Sequence, residues 1–277
     1  MIHIENLSKR FGDLVAVDEL NLDIEKGEIF GLLGPNGAGK TTCMRMLNTL
    51  IQPTSGQAKI NEFDVVKEAG RVKQLIGVCP QENNIDKELT CYENLYIHGL
   101  LHRMKQIKER IDELLKWAEL SARAGSKVST FSGGMQRRLL ICRAIMHRPG
   151  VLFLDEPTVG LDPQIKRQIW DLIRDLNRQG VTILITTHYI EEAEFLCRQV
   201  GILSHGKLIA LGNPSELKAK IGGFVVESLD DGVTNYRLFD TRESAYEFAE
   251  KRVDDVVIRK SNLEDAFIKL TGERIER

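Results

Sequence analysis

The chain has 277 residues, of which 42% are hydrophobic and 28% charged, and its formal net charge is −2 with a pI near 6.3. This length is enough for one large domain and a small appendage, and the charge lacks the basic footprint of a nucleic-acid-binding protein. No apolar stretch approaches the roughly 20 residues needed to cross a bilayer, and we expect no signal peptide. The five widely spaced cysteines are typical of reduced thiols rather than disulfides or metal ligands. Nucleic acid is therefore not an expected partner, and a role at a membrane would need another protein.

The N-terminal part of the chain is predicted to form strands. Alternating apolar and polar residues predict half-buried antiparallel strands over 2–7 and 20–24. A short, nearly continuous apolar run over 27–34 predicts a strand that is buried on both faces. A helix is predicted to follow over 40–50, and two more short strands over 57–60 and 75–79.

Between the buried strand and this helix lies the pattern G-x-x-x-x-G-K-[ST], in the strand–loop–helix context that a phosphate loop requires. The backbone N–H groups of such a loop turn inward and hold phosphate oxygens, and the lysine adds a positive charge near the β- and γ-phosphates. The loop alone leaves kinases, GTPases and many ATPases open. The residues that we expect to bind the nucleotide here are Gly34, Pro35, Asn36, Gly37, Ala38, Gly39, Lys40, Thr41 and Thr42.

The middle of the chain has a helical pattern, and we place a helical subdomain at about 88–145. Thr90 and Glu93 fit a capping box at the start of one helix. A second helix is predicted from about 107 to 120, and a third from Ser132 to about Met146.

The rest of the chain returns to alternating strands and helices. Strands predicted over 151–154 and 181–186, with a helix over 164–179 between them, indicate a parallel sheet, and 201–209 is predicted to be a hairpin. The acidic cluster 191–194 is interpreted as the first turn of a helix, where acids are favoured. After residue 220 we predict a small domain over 221–277, with strands over 221–228, 233–238 and 253–259, a turn at Asp231-Gly232, and helices over 244–252 and from 261.

A carboxylate pair follows the strand predicted over 151–154. Asp155 can hold Mg²⁺ through water, and the hydroxyl of Thr41 can bind the same ion. Glu156 is placed to polarise a water that attacks the γ-phosphate. A solvated strand end is the ordinary alternative, and the complete phosphate loop in the same chain argues against it.

Residues Ser132, Gly133 and Gly134 precede a helix, and they admit two interpretations. Serine is a good N-cap, so the segment could serve only to start the helix. A serine hydroxyl, glycine N–H groups and the positive end of a helix also form an anion site. Because the chain already has one phosphate loop, a second anion site suggests that it serves the nucleotide of another subunit.

Together these motifs resemble the ATPase subunits of ATP-binding-cassette (ABC) transporters, and the resemblance covers about residues 1–220. It implies an α/β fold of the P-loop NTPase class, with an antiparallel β subdomain, a helical subdomain and, here, a small α+β C-terminal domain. It also implies ATP and Mg²⁺ as ligands, and a second copy of the chain that sandwiches two nucleotides.

The resemblance assigns roles to four further residues. Phe11 resembles the aromatic residue that stacks on adenine, and Gln81 the glutamine that senses Mg²⁺ and the membrane subunit. Asp162 resembles the key residue of a loop that crosses the dimer interface, and His188 the histidine that contacts the γ-phosphate. Taken singly, Phe11 could be a buried strand-end aromatic, Gln81 an ordinary loop residue and His188 an ordinary histidine.

Departures from the commonest motif indicate a subset of the family. Phe131 stands where leucine is usual and Met135 where glutamine is usual, so any side-chain contact from position 135 differs. These features, with segments 80–95 and 262–272, resemble multidrug and related exporters of the daunorubicin-resistance and nodulation-factor type. That group implies a separate permease of the ABC-2 type, which would hold this cytoplasmic ATPase at the inner face of the membrane.

The sequence leaves two alternatives to transport. A non-transport ABC ATPase of DNA repair or translation usually has coiled-coil insertions or tandem cassettes, and the sequence has neither. A module that binds nucleotide without hydrolysis would be expected to lack Glu156 or His188. The cargo stays open, and the direction of transport rests on resemblance alone.

Overall fold

The computed structural model describes residues 1–230, 233–252 and 256–272, and these residues form three β-sheets with helices packed against them. The strands are β1 (Ile2–Phe11), β2 (Leu14–Ile24), β3 (Ile29–Leu33), β4 (Ser55–Ile60), β5 (Phe63–Asp64), β6 (Ile76–Cys79), β7 (Val151–Asp155), β8 (Thr182–Thr187), β9 (Gln199–Ser204), β10 (Lys207–Gly212), β11 (Phe224–Asp230), β12 (Val233–Phe239) and β13 (Val256–Lys260). The helices are α1 (Lys40–Leu47), α2 (Ala69–Leu75), α3 (Cys91–Leu101), α4 (Ile107–Trp117), α5 (Gly133–Ala144), α6 (Pro163–Arg178), α7 (Ile190–Leu196), α8 (Pro214–Ala219), α9 (Arg242–Ala249) and α10 (Leu263–Thr271).

A six-stranded sheet with the order β10-β9-β3-β8-β7-β6 forms the centre of the molecule. Its strands are parallel except β10, which pairs antiparallel with β9 as the predicted hairpin. Every residue of β3 and β7 is buried, as expected for strands covered on both faces. In register, Leu33 pairs with Thr187 and Asp155 with Thr186. The segments that follow β3, β7 and β8 therefore leave the sheet at the same edge.

The second sheet, β2-β1-β4-β5, is antiparallel and packs its apolar face onto α1 and the central sheet. Its first two strands run to Phe11 and from Leu14, well beyond the predicted 2–7 and 20–24. The reason is that the β1–β2 pairing shifts register three times between Ile4 and Arg10. Each irregularity interrupts the two-residue alternation on which the sequence prediction depended.

The helical region agrees with the sequence except at helix ends. Thr90 accepts from the backbone N–H of Glu93 at 3.1 Å, and the Glu93 carboxylate accepts from the N–H of Thr90 at 2.8 Å, so the predicted capping box is confirmed. Helix α1 ends at Leu47, three residues before its predicted end, and Thr49 just beyond it has a φ of 64°. Helices α2 and α8 were not predicted, although Asn213 and Glu216 form a capping box for α8 that the sequence pattern could have revealed.

The C-terminal part contains the sheet β12-β11-β13 with α9 beside it. The last helix, α10, packs back onto the ATPase part, where Phe267 belongs to the same buried cluster as Leu196 and Leu217. The turn predicted at 231–232 and the first residues of the strand predicted over 253–259 lie outside the described residues. Among the helices described, none is both long and apolar enough to cross a membrane.

Candidate functional site

The phosphate loop connects β3 to α1 and is shaped around the side chain of Lys40. Lys40 Nζ donates to the main-chain oxygens of Gly34 at 2.7 Å and Pro35 at 3.0 Å. Gly39 has a φ of 102°, and a Cβ there would lie 2.3 Å from the carbonyl oxygen of Ala16. Only glycine fits both the backbone angle and this close approach, so the loop can curve tightly before α1 begins.

Lys40 also faces the carboxylate of Glu156. Nζ lies 3.5 Å from Oε1, and each side chain is only 5% exposed. Burial lowers the pKa of Lys40, while the negative charges of Glu156 and Asp155 oppose that shift. The ammonium is therefore poorly hydrated, which strengthens its attraction for an anion that enters the loop.

Asp155, at the end of β7, is held by hydroxyl groups from two other elements. Its Oδ1 accepts from Thr41 Oγ1 at 3.4 Å and from the hydroxyl of Thr186. The carboxylate is buried, and its Oδ1 faces Thr41 of α1. A carboxylate and a threonine hydroxyl are hard oxygen ligands of the kind that Mg²⁺ prefers when it also binds substrate phosphates, and the residues present therefore fit this ion.

Glu156 comes next and meets the histidine that follows β8. His188 Nδ1 lies 2.7 Å from Glu156 Oε2, as a close contact without the alignment of a hydrogen bond. The backbone of Glu156 has a φ of 48°, and its N–H donates to the carbonyl oxygen of Thr186 at 3.0 Å. Left-handed backbone is costly for a residue other than glycine and concentrates at functional sites.

One open pocket contains most of the predicted nucleotide residues of this chain. Phe11, half exposed at the end of β1, lies on its rim, and the apolar residues 14–16 form the wall beside it. Lys40, Thr41, Gln81 and Glu156 line its other side. The structure thus brings an exposed aromatic ring, a phosphate loop and a carboxylate to one cavity.

The Ser132 segment and Asp162 lie elsewhere. Gly133 lines a separate surface pocket with Gln81 and residues 159–161, and this pocket contains no residue of the phosphate loop. Ser132 caps α5, accepting from the N–H of Met135 at 3.3 Å, and Asp162 caps α6, accepting from Ile165 at 3.0 Å. The structure does not bring these residues to the phosphate loop of the same chain.

Arg137 joins the motifs and was missed as a functional candidate. Its guanidinium donates to the main-chain oxygens of Asp155 at 2.9 Å, Pro157 at 2.7 Å and Pro80 at 2.6 Å. The side chain is buried, between Gly134 and Leu140 on the inner face of α5. An arginine within an otherwise buried helix face was the available signal, because a buried charge needs several partners.

Cluster 191–194 begins α7 as predicted, but one of its acids, Glu192, is buried and has polar partners that the sequence did not indicate. It is fully buried and accepts from Thr158 Oγ1 at 2.8 Å and Trp170 Nε1 at 3.0 Å. Burial raises the pKa of its carboxyl, and these hydrogen bonds oppose the shift. Glu192 thus links α7, which follows His188, to the segment that follows Glu156.

Known proteins share both the sequence and the fold. A family model described as "ABC transporter" matches residues 17–159. The linearmycin resistance ATP-binding protein LnrL of Bacillus subtilis is 39% identical over 266 residues, covering 95% of this chain and 84% of that protein. The Nod factor export ATP-binding protein I of Cupriavidus metallidurans is 39% identical over 300 aligned residues, covering 99% and 98%.

Two solved structures show the same architecture. The ATP-binding cassette MJ0796, in a dimeric post-hydrolysis state bound to ADP and Pi, matches with a TM-score of 0.70 and 28% identity, covering 77% of this chain and 98% of that one. The cbiO1 protein of Clostridium perfringens, part of the transporter complex cbiONQ, matches with a TM-score of 0.73 and 28% identity, covering 79% and 90%.

Proposed function

Since the chain belongs to the ABC transporter family and is an ATP-hydrolysing subunit of a transporter, we propose that it powers export through a separate permease of the ABC-2 type. The relatives' names support export, because one refers to resistance to linearmycin and another to Nod factor export. The full-length match to such proteins favours this proposal over a DNA-repair or translation ATPase.

The observation that carries the catalytic part of the proposal is the meeting of Lys40, Glu156 and His188 at one edge of the parallel sheet. The phosphate loop binds the triphosphate through its N–H groups, and Lys40 stabilises the charge on the β- and γ-phosphates. Glu156 accepts a proton from the attacking water while the water oxygen bonds to the γ-phosphorus. The bond between the γ-phosphorus and ADP breaks, and ADP leaves. His188, in contact with Glu156, holds the γ-phosphate.

The proposed Mg²⁺ site consists of Thr41 and Asp155, with Gln81 nearby in the same pocket. When bound, the ion neutralises developing charge on the β- and γ-phosphate oxygens. Thr186 supports the site because its hydroxyl holds the Asp155 carboxylate from the side of β8. Phe11 offers a ring on the pocket rim for stacking on adenine.

The second proposed part of the site comes from another copy of the chain. Ser132, Gly133 and Gly134 lie at the N-terminus of α5, which favours anions, and Gly133 lines a pocket that contains no residue of the phosphate loop of its own chain. We place the γ-phosphate of one copy against this segment of the other, with Asp162 at the interface. The dimeric form of the cassette MJ0796 supports this arrangement.

The proposed permease contact lies beside Gln81, at the inner face of the membrane. Met44, Leu50 and Val78 form an apolar groove there, next to the exposed residue Glu82. Gln81 lines this groove and also the nucleotide pocket, so one residue can report the state of one site to the other.

The proposal also divides the chain into an ATPase domain over 1–220, with its helical subdomain at about 88–145, and an accessory domain over 221–277.

Site-specific photocrosslinking of the full chain in its own cells tests this function. A photoreactive residue at Glu82 should capture an integral membrane protein encoded as a separate polypeptide, which mass spectrometry would identify. The matched control is Lys108, exposed on α4 away from the groove. Capture of ribosomal proteins or DNA from position 82, or equal capture from both positions, would contradict the proposed transport role.

A further inference from the structure

Three histidines cluster in a region that plays no part in the nucleotide site. His98 lies on α3, His102 is the C-cap of the same helix, and His147 lies just after α5. One ring nitrogen from each lies within 4.8 Å of the others. His98 and His102 are four residues apart, so they project from the same side of α3, and His147 reaches them from the neighbouring segment.

The hydrogen bonding of His147 prepares one nitrogen as a metal ligand. Its Nε2 lies 2.9 Å from the carbonyl oxygen of Ile76, the first residue of β6. A carbonyl can only accept, so Nε2 carries the hydrogen and Nδ1 keeps its lone pair. Nδ1 is buried and has no hydrogen-bond partner among the described residues. Metal-binding histidines typically have this arrangement, with the second nitrogen donating to a carbonyl.

The charge state of the cluster suits a ligand set. Burial is the main cause that lowers the pKa of His98 and of His147, to about 4 in each case, and it also lowers the pKa of His102. All three imidazoles are therefore neutral at pH 7 and can donate a lone pair without losing a proton.

Two arginines lie near enough to influence these rings, and both are engaged with other groups. Arg143 donates to the carbonyl oxygen of Asn84 at 2.9 Å. Arg110 donates to the carbonyl oxygen of Ile145 at 2.9 Å and pairs with Glu113 at 2.8 Å. Their positive charges weaken the attraction for a cation, so the ligand bonds themselves must supply most of the binding energy. This requirement favours a metal with a high affinity for imidazole.

We propose that His98, His102 and His147 bind a Zn²⁺ ion. Three histidines and an open fourth position are an established zinc coordination set. The ring of His102 lies over that of His147, with centroids 4.0 Å apart, and binding requires it to turn its nitrogen toward the other two. His102 is the exposed member of the cluster, so it is free to make this movement.

The position of this site gives it a mechanical role. Ile76, whose carbonyl accepts from His147, begins β6, and that strand ends just before the segment containing Gln81. A bound ion would link α3 of the helical subdomain to the central sheet, at the end of β6 opposite the nucleotide. It would therefore limit movement of the helical subdomain relative to the sheet.

Calorimetric titration of Zn²⁺ into the untagged, nucleotide-free full chain tests the proposal. We expect one Zn²⁺ per chain, binding at least about tenfold weaker in His102→Ala and His98→Ala, and unchanged binding in the control His3→Ala, which removes an exposed histidine of β1. Because His102 is exposed, its substitution should leave the fold intact, and circular dichroism would check this. Failure of the unmodified chain to bind Zn²⁺, or equal affinity in folded His102→Ala, would overturn the site.

A spectroscopic measurement adds an independent outcome. Co²⁺ in place of Zn²⁺ should give the visible absorption of a four-coordinate ion with nitrogen ligands, and His102→Ala should lose it. Zn²⁺ should also raise the Tm of the unmodified chain, because a ligand that binds only the folded state stabilises it. An octahedral Co²⁺ spectrum like that of the hydrated ion would contradict the three-histidine site.

Discussion

Arg137 of α5 donates from Nη2 to the main-chain oxygen of Asp155 at 2.9 Å, so the helix that carries the Ser132 segment is bonded to the end of β7, where the proposed metal ligand and catalytic base lie. The same guanidinium bonds the carbonyl of Pro80, next to Gln81. A displacement of the proposed permease-facing segment or of the proposed dimer-facing segment would therefore alter these hydrogen bonds. Arg137 is the direct physical connection between the three regions.

Replacing Arg137 should destabilise the protein. In Arg137→Met the apolar stem is kept but three carbonyl oxygens lose their donor, and we expect the free energy of unfolding to fall by about 3 kcal/mol. Urea unfolding monitored by fluorescence measures this change. Arg178→Met, at an exposed position near the end of α6, is the control and should change stability by less than about 0.5 kcal/mol. Equal stabilities of the two variants would contradict the role given to Arg137.

Glu192 should make stability depend on pH in a defined direction. Because burial raises the pKa of its carboxyl in the folded state, the unfolded chain releases this proton at a lower pH. The stability associated with Glu192 is therefore complete below the pKa of the unfolded state and is lost as pH rises through the folded-state value. Glu192→Gln removes the titration and keeps an oxygen acceptor for Thr158 and Trp170.

We expect Glu192→Gln to gain stability relative to the unmodified chain as pH rises from 4 toward 8, and Glu192→Ala to be less stable than both at acidic pH. Chemical unfolding across this pH range measures the difference. Glu191→Gln, at an exposed neighbouring position, is the control. If the difference in stability between Glu192→Gln and the unmodified chain were independent of pH, the fold would not raise the pKa of this carboxyl.

The last helix should contribute to the stability of the whole chain. Phe267 is fully buried in the cluster that also contains Leu196 and Leu217, and loss of such a side chain costs about 3–5 kcal/mol. Phe267→Ala should therefore lower the Tm of the ATPase part, whereas Tyr246→Ala, at an exposed position of α9, should not. An unfolding transition of the ATPase part that is identical in both variants would indicate that α10 is dispensable for it.

The sequence predicted the central sheet and the position of the phosphate loop between β3 and α1 because local patterns encode them. A buried parallel strand is a continuous apolar run, and the phosphate loop needs glycines at fixed spacing. Asp155 and His188 follow recognisable strands, and parallel strands necessarily end at the same edge. The chemistry near that edge was therefore accessible from short segments of sequence.

The missed features depend on contacts that are remote in the chain. The burial and hydrogen bonding of Arg137 and Glu192 were not predicted, because their partners are 18 or more residues away. His147 lies 45 residues from His102, so no local spacing indicates that their rings meet. The extra length of β1 was hidden by register shifts, which only the pairing with β2 defines.

Lys40→Ala should impair nucleotide binding as well as turnover. The variant removes the ammonium that holds the Gly34 and Pro35 carbonyls and faces the proposed phosphate position. We expect the affinity for ATP to fall at least about tenfold, the loss associated with 1.4 kcal/mol. Equilibrium binding of a fluorescent ATP analogue measures it, with exposed Lys108→Ala as control. Unchanged affinity would contradict the placement of Lys40 against the phosphates.

Glu156→Gln should separate binding from hydrolysis. The amide keeps the size of the carboxylate but cannot accept the proton of the attacking water, a role worth about 10²–10⁴-fold in rate. The variant also removes a negative charge 3.5 Å from Lys40, so ATP affinity should be kept or raised. If closure of the dimer needs ATP and its opening needs hydrolysis, the variant should accumulate as an ATP-containing dimer in size-exclusion chromatography.

A double variant of Glu156→Gln with Ser132→Arg, which places bulk and positive charge in the proposed partner site, should stay monomeric with ATP. Near-normal ATPase activity in Glu156→Gln would show that Glu156 is not the base, and dimers in the double variant would contradict the shared site.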